Sequence, residues 1–335
     1  MTLGEGERAT TRKRLLWGVA GLLVALGGAL VATGYLATQP AIAAPESHRL
    51  GATPAGIGLP ADVVSFRSRD GIDLKGWWIP AVRAARGTVI LAHGRDANRS
   101  FMLSRARFLV MHGYNAFPID LRGHGESGGR YMTPGVLEAL DILGAVDAAR
   151  HRGDAGPFVA LGHSSGAVAS LQAAARSPEI AAVIADGAFI SPDRALERAT
   201  EIVGRDPAAP RTEKLALRTA NWLLHSSWGR AYIDWAFYER TGMRIEPHDA
   251  DALPAIARIG SRPVLFIVGA RDGIAPPEDA RRMYEAALSP AKALLVVPGA
   301  GHNTTYGTAP ALYETQVLQF LVKALGAGSK STRRD

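Results

Sequence analysis

Cysteine is absent from the 335 residues. That excludes a thiolate nucleophile, thiolate-bound metal and any disulfide framework. It does not choose a compartment, because a domain of this length folds without disulfides. No group of His, Asp and Glu has metal-ligand spacing, so neither a metal nor any other cofactor is expected. With 47% hydrophobic and 21% charged residues, the composition excludes a disordered chain. The net charge of +7 gathers partly at the ends, in Arg8, Arg12, Lys13 and Arg14 and in Lys330, Arg333 and Arg334. Since no nucleic-acid-binding module accompanies these charges, they read as solvated termini, and no nucleic-acid partner is expected.

Charge is also missing from residues 15–45, and residues 15–36 read LLWGVAGLLVALGGALVATGYL. About 20 apolar residues suffice to cross roughly 30 Å of hydrocarbon. The run is apolar all round, unlike the single stripe of a buried soluble helix. Trp17 and Tyr35 stand near its ends, where amphipathic rings favour the membrane interface. Arg12, Lys13 and Arg14 precede it, whereas the far flank has no Lys or Arg until Arg49. The expectation is a basic segment 1–14 inside, a transmembrane signal anchor at 15–36, and everything after it outside. The alternative is a chain secreted after cleavage near Ala43, since Ala41-Ile42-Ala43 resembles a processing site. However, the run exceeds the apolar core of about 7–15 residues usual in signal peptides. Residues 37–60, rich in Ala, Pro and Gly, read as a linker, and residues 327–335 as a disordered tail.

Residues 61–326 alternate short apolar runs with helical patterns. Strands are expected at 63–66, 74–79, 87–92, 116–120, 158–162, 182–185, 264–269 and 293–297. Helices are expected at 99–112, at 134–150 with Thr133 as N-cap and Pro134 at the first position, from Ser164 onward, at 277–287 and at 309–325. This order implies an α/β fold, a mostly parallel sheet flanked by helices, with the strand-to-helix loops along one ligand-binding edge. Residues 192–260 carry no strand signal and hold Trp222, Leu223, Leu224, Trp228, Tyr232, Trp235, Phe237 and Tyr238. They are expected to form a helical lid, although an aromatic stripe at helical spacing serves equally well as packed core.

The chemistry centres on Gly162-His163-Ser164-Ser165-Gly166. A G-x-S-x-G match means little in a chain with 37 glycines. Its setting between an apolar strand and a helix of small residues is that of a nucleophile elbow, with Ser164 as nucleophile. A serine hydroxyl needs a base, and the base needs an acid to orient it. His302, in Gly299-Ala300-Gly301-His302-Asn303, follows the last expected strand and is the expected base. Asp272, after the 264–269 strand, is the preferred acid, and Asp186 remains the alternative because its loop opens on the same edge. Glu278 and Asp279 read as first-turn helix charges. The oxyanion hole is expected from the backbone N–H groups of Ser165 and Arg95. The Arg95 side chain pairs with Asp96 or faces solvent. The Gly-rich turn at 120–127 lacks a Walker lysine and reads as structural, with His124 a loop histidine.

His93-Gly94, Asp120-x-Arg122-Gly-x-Gly-x-Ser127, the Ser164 motif, Gly269-Ala-Arg-Asp272 and Gly299-Ala-Gly-His302-Asn together resemble the α/β-hydrolase superfamily over about residues 60–325. More narrowly they are similar to its serine aminopeptidase-like, monoacylglycerol lipase-like and membrane-anchored serine hydrolase members. The resemblance implies the α/β-hydrolase fold, a Ser-His-Asp triad, and hydrolysis of esters, thioesters or peptides. It also implies an N-terminal hydrophobic helix, as in the anchored members, whose lid is shorter and less aromatic than this one. The expected function is hydrolysis of a carboxylic ester, a small-molecule or lipid-like acyl substrate, through an acyl-enzyme. A peptidase or aminopeptidase remains open if Glu197 or Glu201 faces the pocket, and so does an acyltransferase. The reading from another class is a non-catalytic, membrane-tethered binding module. A dehalogenase is disfavoured because residue 164 is Ser and not Asp.

Overall fold

The computed structural model describes residues 12–28, 31–32, 49–242, 244 and 247–326. Its strands are β1 (Asp62–Arg67), β2 (Asp73–Trp78), β3 (Thr88–Ala92), β4 (Asn115–Ile119), β5 (Phe158–His163), β6 (Ile180–Asp186), β7 (Val264–Gly269) and β8 (Ala293–Val297). They join in one eight-stranded sheet of order β1-β2-β4-β3-β5-β6-β7-β8. The β1–β2 hairpin and the β2–β4 contact are antiparallel, and all pairs from β4 to β8 are parallel. Every residue of β3, β5 and β7 is buried. Strands covered on both faces need apolar side chains in succession, which is why they read as unbroken runs.

Helices cover both faces of this sheet, giving the expected α/β-hydrolase architecture. On one face, α3 (Glu138–His151), α4 (Ser165–Arg176), α8 (Ala252–Ile259) and α9 (Pro277–Ala286) lay Ile142, Val168, Leu171, Ile256 and Met283 against Ile90, Phe117, Val183 and Phe266. On the other, α2 (Leu103–Met111) and α11 (Pro310–Gly326) lay Leu109, Val110, Val317 and Leu321 against Val89, Leu91, Ile184 and Leu265. Each such side chain contributes about 1.5–3 kcal/mol when fully buried, so these two layers hold the sheet in place behind its loop edge.

Two expected boundaries move. The helix expected at 134–150 begins at Glu138. Gly135 has φ 107°, where no helix continues, and Val168 leaves no room for a Cβ there. Thr133 and Gly135 instead donate their backbone N–H groups to the buried Glu138 carboxylate at 2.7 and 2.9 Å. Thr133 Oγ1 accepts from the Leu137 N–H at 2.7 Å, so the threonine caps a turn ahead of the helix. The expected lid also divides. Among the described side chains of α5 (Pro192–Arg205), α6 (Arg211–His225) and α7 (Ser227–Thr241) almost none is buried, whereas α8 buries Ala252, Ala255, Ile256 and Ile259 on one stripe. α8 therefore belongs to the core, and the excursion ends near residue 250.

Residues 12–28 (α1) and 31–32 are helical, with Leu15, Leu16, Trp17, Leu22, Leu23 and Val24 exposed. Residues 29, 30 and 33–36 of the expected span lie outside the described residues, as do 1–11, 37–48 and the expected tail. Among the described residues no helix is long and apolar enough to cross a membrane.

Candidate active site

β5 passes into α4 through Ser164, which sits at φ 53° and ψ −122°. A non-glycine residue held there costs on the order of 1–3 kcal/mol and persists only where its surroundings fix it. Here the Ser164 N–H donates to the Asp186 carbonyl at 2.8 Å. A Cβ on Gly162 would collide with the Gly166 carbonyl, and one on Gly166 with the His93 carbonyl. The tight reversal therefore needs both glycines of the motif, and it presents the Ser164 hydroxyl at the carboxyl edge of the parallel strands.

Two further loops on that edge meet it. The His302 ring follows β8, with Nε2 2.9 Å from Ser164 Oγ and Nδ1 2.8 Å from Asp272 Oδ2. The carboxylate can only accept, so Nδ1 carries the proton and Nε2 accepts from the serine hydroxyl. Asp272 is buried, and its Oδ1 accepts from the Ile274 and Ala275 N–H groups at 2.9 and 2.8 Å. The loops after β7 and β8 are tied by Ala270 N–H to Val297 O at 2.9 Å and Arg271 N–H to Ala300 O at 2.8 Å. Ser164, His302 and Asp272 are thus brought together in a form that can remove the serine proton as the oxygen attacks.

Asp186 does not reach His302. Its carboxylate accepts from Arg105 at 2.8 Å, Thr305 Oγ1 at 2.9 Å and the Tyr313 hydroxyl at 3.2 Å, all buried. Burial alone would push this carboxyl up, but the Arg105 guanidinium and His163 outweigh it and hold it well below the usual carboxylate range. Residue-by-residue reading of the sequence also passes over His163 and Asn303. His163 Nε2 donates to Asn303 Oδ1 at 3.0 Å, and its ring lies 5.4 Å from that of His302. Their only sequence signal is adjacency, His163 before Ser164 and Asn303 after His302.

The expected oxyanion donors flank the elbow. Ser165 is the first residue of α4, where a backbone N–H has no partner within the helix and the helix dipole favours negative charge. The loop after β3 approaches from the other side: a Cβ on Gly94 would lie 2.9 Å from Ser164 Cβ, and Asp96 sits at φ 60°. The Arg95 guanidinium lies 3.9 Å from the Asp96 carboxylate, with its side chain one-third exposed. The turn at 120–127 is a buried scaffold. Asp120 pairs with Arg99 and Arg122 with Asp141 and Asp70. Its Gly123-x-Gly125-x-x-Gly128 spacing would open a helix in a dinucleotide site, but no helix follows until Glu138. Asp279 pairs with Arg198 of α5 at 2.6 Å, while Glu278 reaches Arg281 at 3.2 Å.

His93 fixes the oxyanion-side loop from beneath. Its Nδ1 donates to Gly94 O at 2.7 Å and its Nε2 accepts from the Leu121 N–H at 3.1 Å. Burial, with the neighbouring His124, drives its pKa down to about 3. An unfolded histidine binds a proton below about pH 6.5, so between these values the unfolded state holds one proton more. His93 then contributes stability that is complete above pH 6.5 and is lost as pH falls. In urea unfolding at pH 7, 6 and 5, wild type is expected to lose stability relative to His93→Gln by up to about 1.4 kcal/mol per pH unit. Parallel profiles for the two proteins would refute a buried neutral His93.

A family model described as the alpha/beta hydrolase family matches residues 89–315. The uncharacterized protein YfhR of Salmonella typhimurium is 29% identical over 303 residues, covering 88% of this chain and 92% of that protein. The alpha/beta hydrolase domain-containing protein WAV2 of Arabidopsis thaliana is 26% identical over 320 residues, covering 92% of this chain and 94% of that protein. Among solved structures, an esterase of Pyrococcus furiosus is similar with a TM-score of 0.66 at 25% identity, covering 83% of this chain and 98% of that one. The strand order, the elbow and the family match agree, and the chain belongs to the alpha/beta hydrolase family.

Proposed function

We propose that this chain is a serine esterase that needs no cofactor and works through Ser164, His302 and Asp272. The observation that carries the reading is the hydrogen-bonded line from Ser164 Oγ to His302 at 2.9 Å and on to Asp272 at 2.8 Å, on a strained elbow. Ser164 Oγ attacks the ester carbonyl carbon while His302 Nε2 takes its proton. The Ser165 and Arg95 N–H groups receive the developing oxyanion. His302 then returns the proton to the departing alcohol, and water, deprotonated by the same imidazole, releases the acyl group. Asp272 holds the ring in one tautomer and stabilises the imidazolium. The name of the Pyrococcus furiosus relative, an esterase, supports the reaction class. The apolar run at 15–36 supports an anchored chain with the catalytic domain outside, and the aromatic lid supports a lipid-like acyl group. Labelling with a fluorophosphonate is the direct test: wild type is expected to label and Ser164→Ala not to. Equal labelling of both would overturn the assignment.

An aminopeptidase would need a free carboxylate to hold a substrate amine. Glu197 and Glu201 do line a cavity of about 640 Å³, with Thr200, Arg205, Arg218 and Asn221. No triad residue lines it. Glu197 lies 2.7 Å from His225 and Glu201 3.3 Å from Arg205, so both carboxylates are already paired. The ester reading is therefore preferred.

A further inference from the structure

Four aromatic side chains of the lid face outward instead of packing into a core. Trp222, Trp228, Trp235 and Tyr238 are 57, 43, 50 and 42% exposed, and Leu215 on α6 is 67% exposed. They are grouped: Trp222 meets Trp228 edge to face at 5.2 Å, and Tyr232 meets Trp235 at 5.5 Å. A grouped apolar surface of this kind marks an interaction site. Its composition selects among partners, because Trp and Tyr, with an apolar body and one polar tip, favour the boundary between water and hydrocarbon. A second observation points the same way. The Tyr232 hydroxyl donates to the Val31 carbonyl at 2.8 Å. Val31 lies five residues before the far end of the 15–36 run. In a helix that is about 7.5 Å of rise, which in a spanning run is close to the level where the chain leaves the hydrocarbon. The lid therefore touches the apolar run at interface depth.

We propose that the exposed aromatic face of α6 and α7 docks into the interface of the same bilayer that residues 15–36 enter, so that the lid meets lipid and not bulk water. This rests on the anchored reading given above. α5 links the docked helices to the site: Arg198 donates to the Ile274 carbonyl at 3.1 Å and pairs with Asp279. Lipid contact on the lid thus bears on the loop whose N–H groups hold Asp272.

Tryptophan quenching tests this without relying on catalysis. The six tryptophans divide into Trp17 in the apolar run, Trp77 and Trp78 in β2, and three in the lid. The full chain is reconstituted in phosphatidylcholine vesicles, either plain or brominated on the acyl chains next to the headgroup. In Trp17→Phe the lid residues dominate the environment-sensitive emission. Brominated lipid is expected to quench that emission relative to plain lipid, as rings at the interface require. In a W222F/W228F/W235F variant, Trp17 reports the anchor alone. Quenching in this triple variant but none in Trp17→Phe would leave the anchor standing and overturn the docking. Quenching in neither would overturn both. Lid emission that shifts with protein concentration and ignores bromine would assign the face to a second copy of the chain, again overturning the proposal. A far-UV circular dichroism spectrum and urea transition matching those of wild type show that the triple variant is folded.

Discussion

Ser164→Ala, His302→Ala and the double variant are expected to lose nearly the same activity, roughly 10⁴- to 10⁶-fold in kcat for a short p-nitrophenyl ester. The shared size follows from the geometry. Ser164 Oγ is activated through the 2.9 Å contact with His302, and every proton the imidazole moves belongs to the pathway that Ser164 opens. Removing either partner ends the same step, so removing both adds little. What survives comes from binding and from donors at the elbow, and KM is expected to change only slightly. Asp272→Asn is expected to cost less, about 10³- to 10⁴-fold. The carboxylate accepts two backbone N–H groups at Oδ1 and the imidazole N–H at Oδ2. An amide must turn its NH₂ against one of these donors, which either strains the loop or forces His302 into the wrong tautomer. Steady-state kinetics on the four proteins decide the matter. Losses that multiply in the double variant would mean that Ser164 and His302 act in separate steps, and the triad reading would fail.

The parts of this molecule that sequence disclosed are those dictated by local pattern. β3, β5 and β7 are covered on both faces, so apolar runs mark them directly. Strand order then carried Ser164, His302 and Asp272 to one edge, since each follows a strand of the parallel sheet. The start of α3 was hidden because it depends on Val168, in another helix, crowding Gly135. The end of the lid was hidden because α8 and α5 share helical spacing. Only tertiary contact distinguishes a stripe facing the sheet from one facing outward. The role of Asp186 was hidden for the same kind of reason. Its place after β6 suits a catalytic acid, and what decides otherwise is Arg105, 81 residues earlier, and Tyr313, 127 residues later.

Arg105→Met is expected to be among the most destabilising single substitutions in the domain, by about 3–5 kcal/mol, because it leaves the buried Asp186 carboxylate without its counter-charge. For a domain of this size that is a fall in Tm of roughly 6–12 °C. The loss should depend on pH in a definite direction. In wild type the folded Asp186 carboxyl is held below its unfolded value, so it stabilises above the unfolded pKa of about 3.9. Without Arg105, burial dominates and lifts the folded value above the unfolded one. The protonated group then favours folding at low pH, and this contribution is lost as pH rises through the raised value. The stability gap between wild type and Arg105→Met is therefore expected to widen between pH 5 and pH 7. Arg105→Met with Asp186→Asn should recover most of the loss, since an amide oxygen can still accept from Thr305 and Tyr313 and no buried charge remains. Urea unfolding of the three proteins at both pH values tests this. A gap independent of pH, or a double variant no better than the single, would mean that the ion pair is not what Arg105 contributes. Because the Asp186 carbonyl also accepts the Ser164 N–H, the single variant should lose hydrolase activity below its unfolding temperature, and the double variant should regain it.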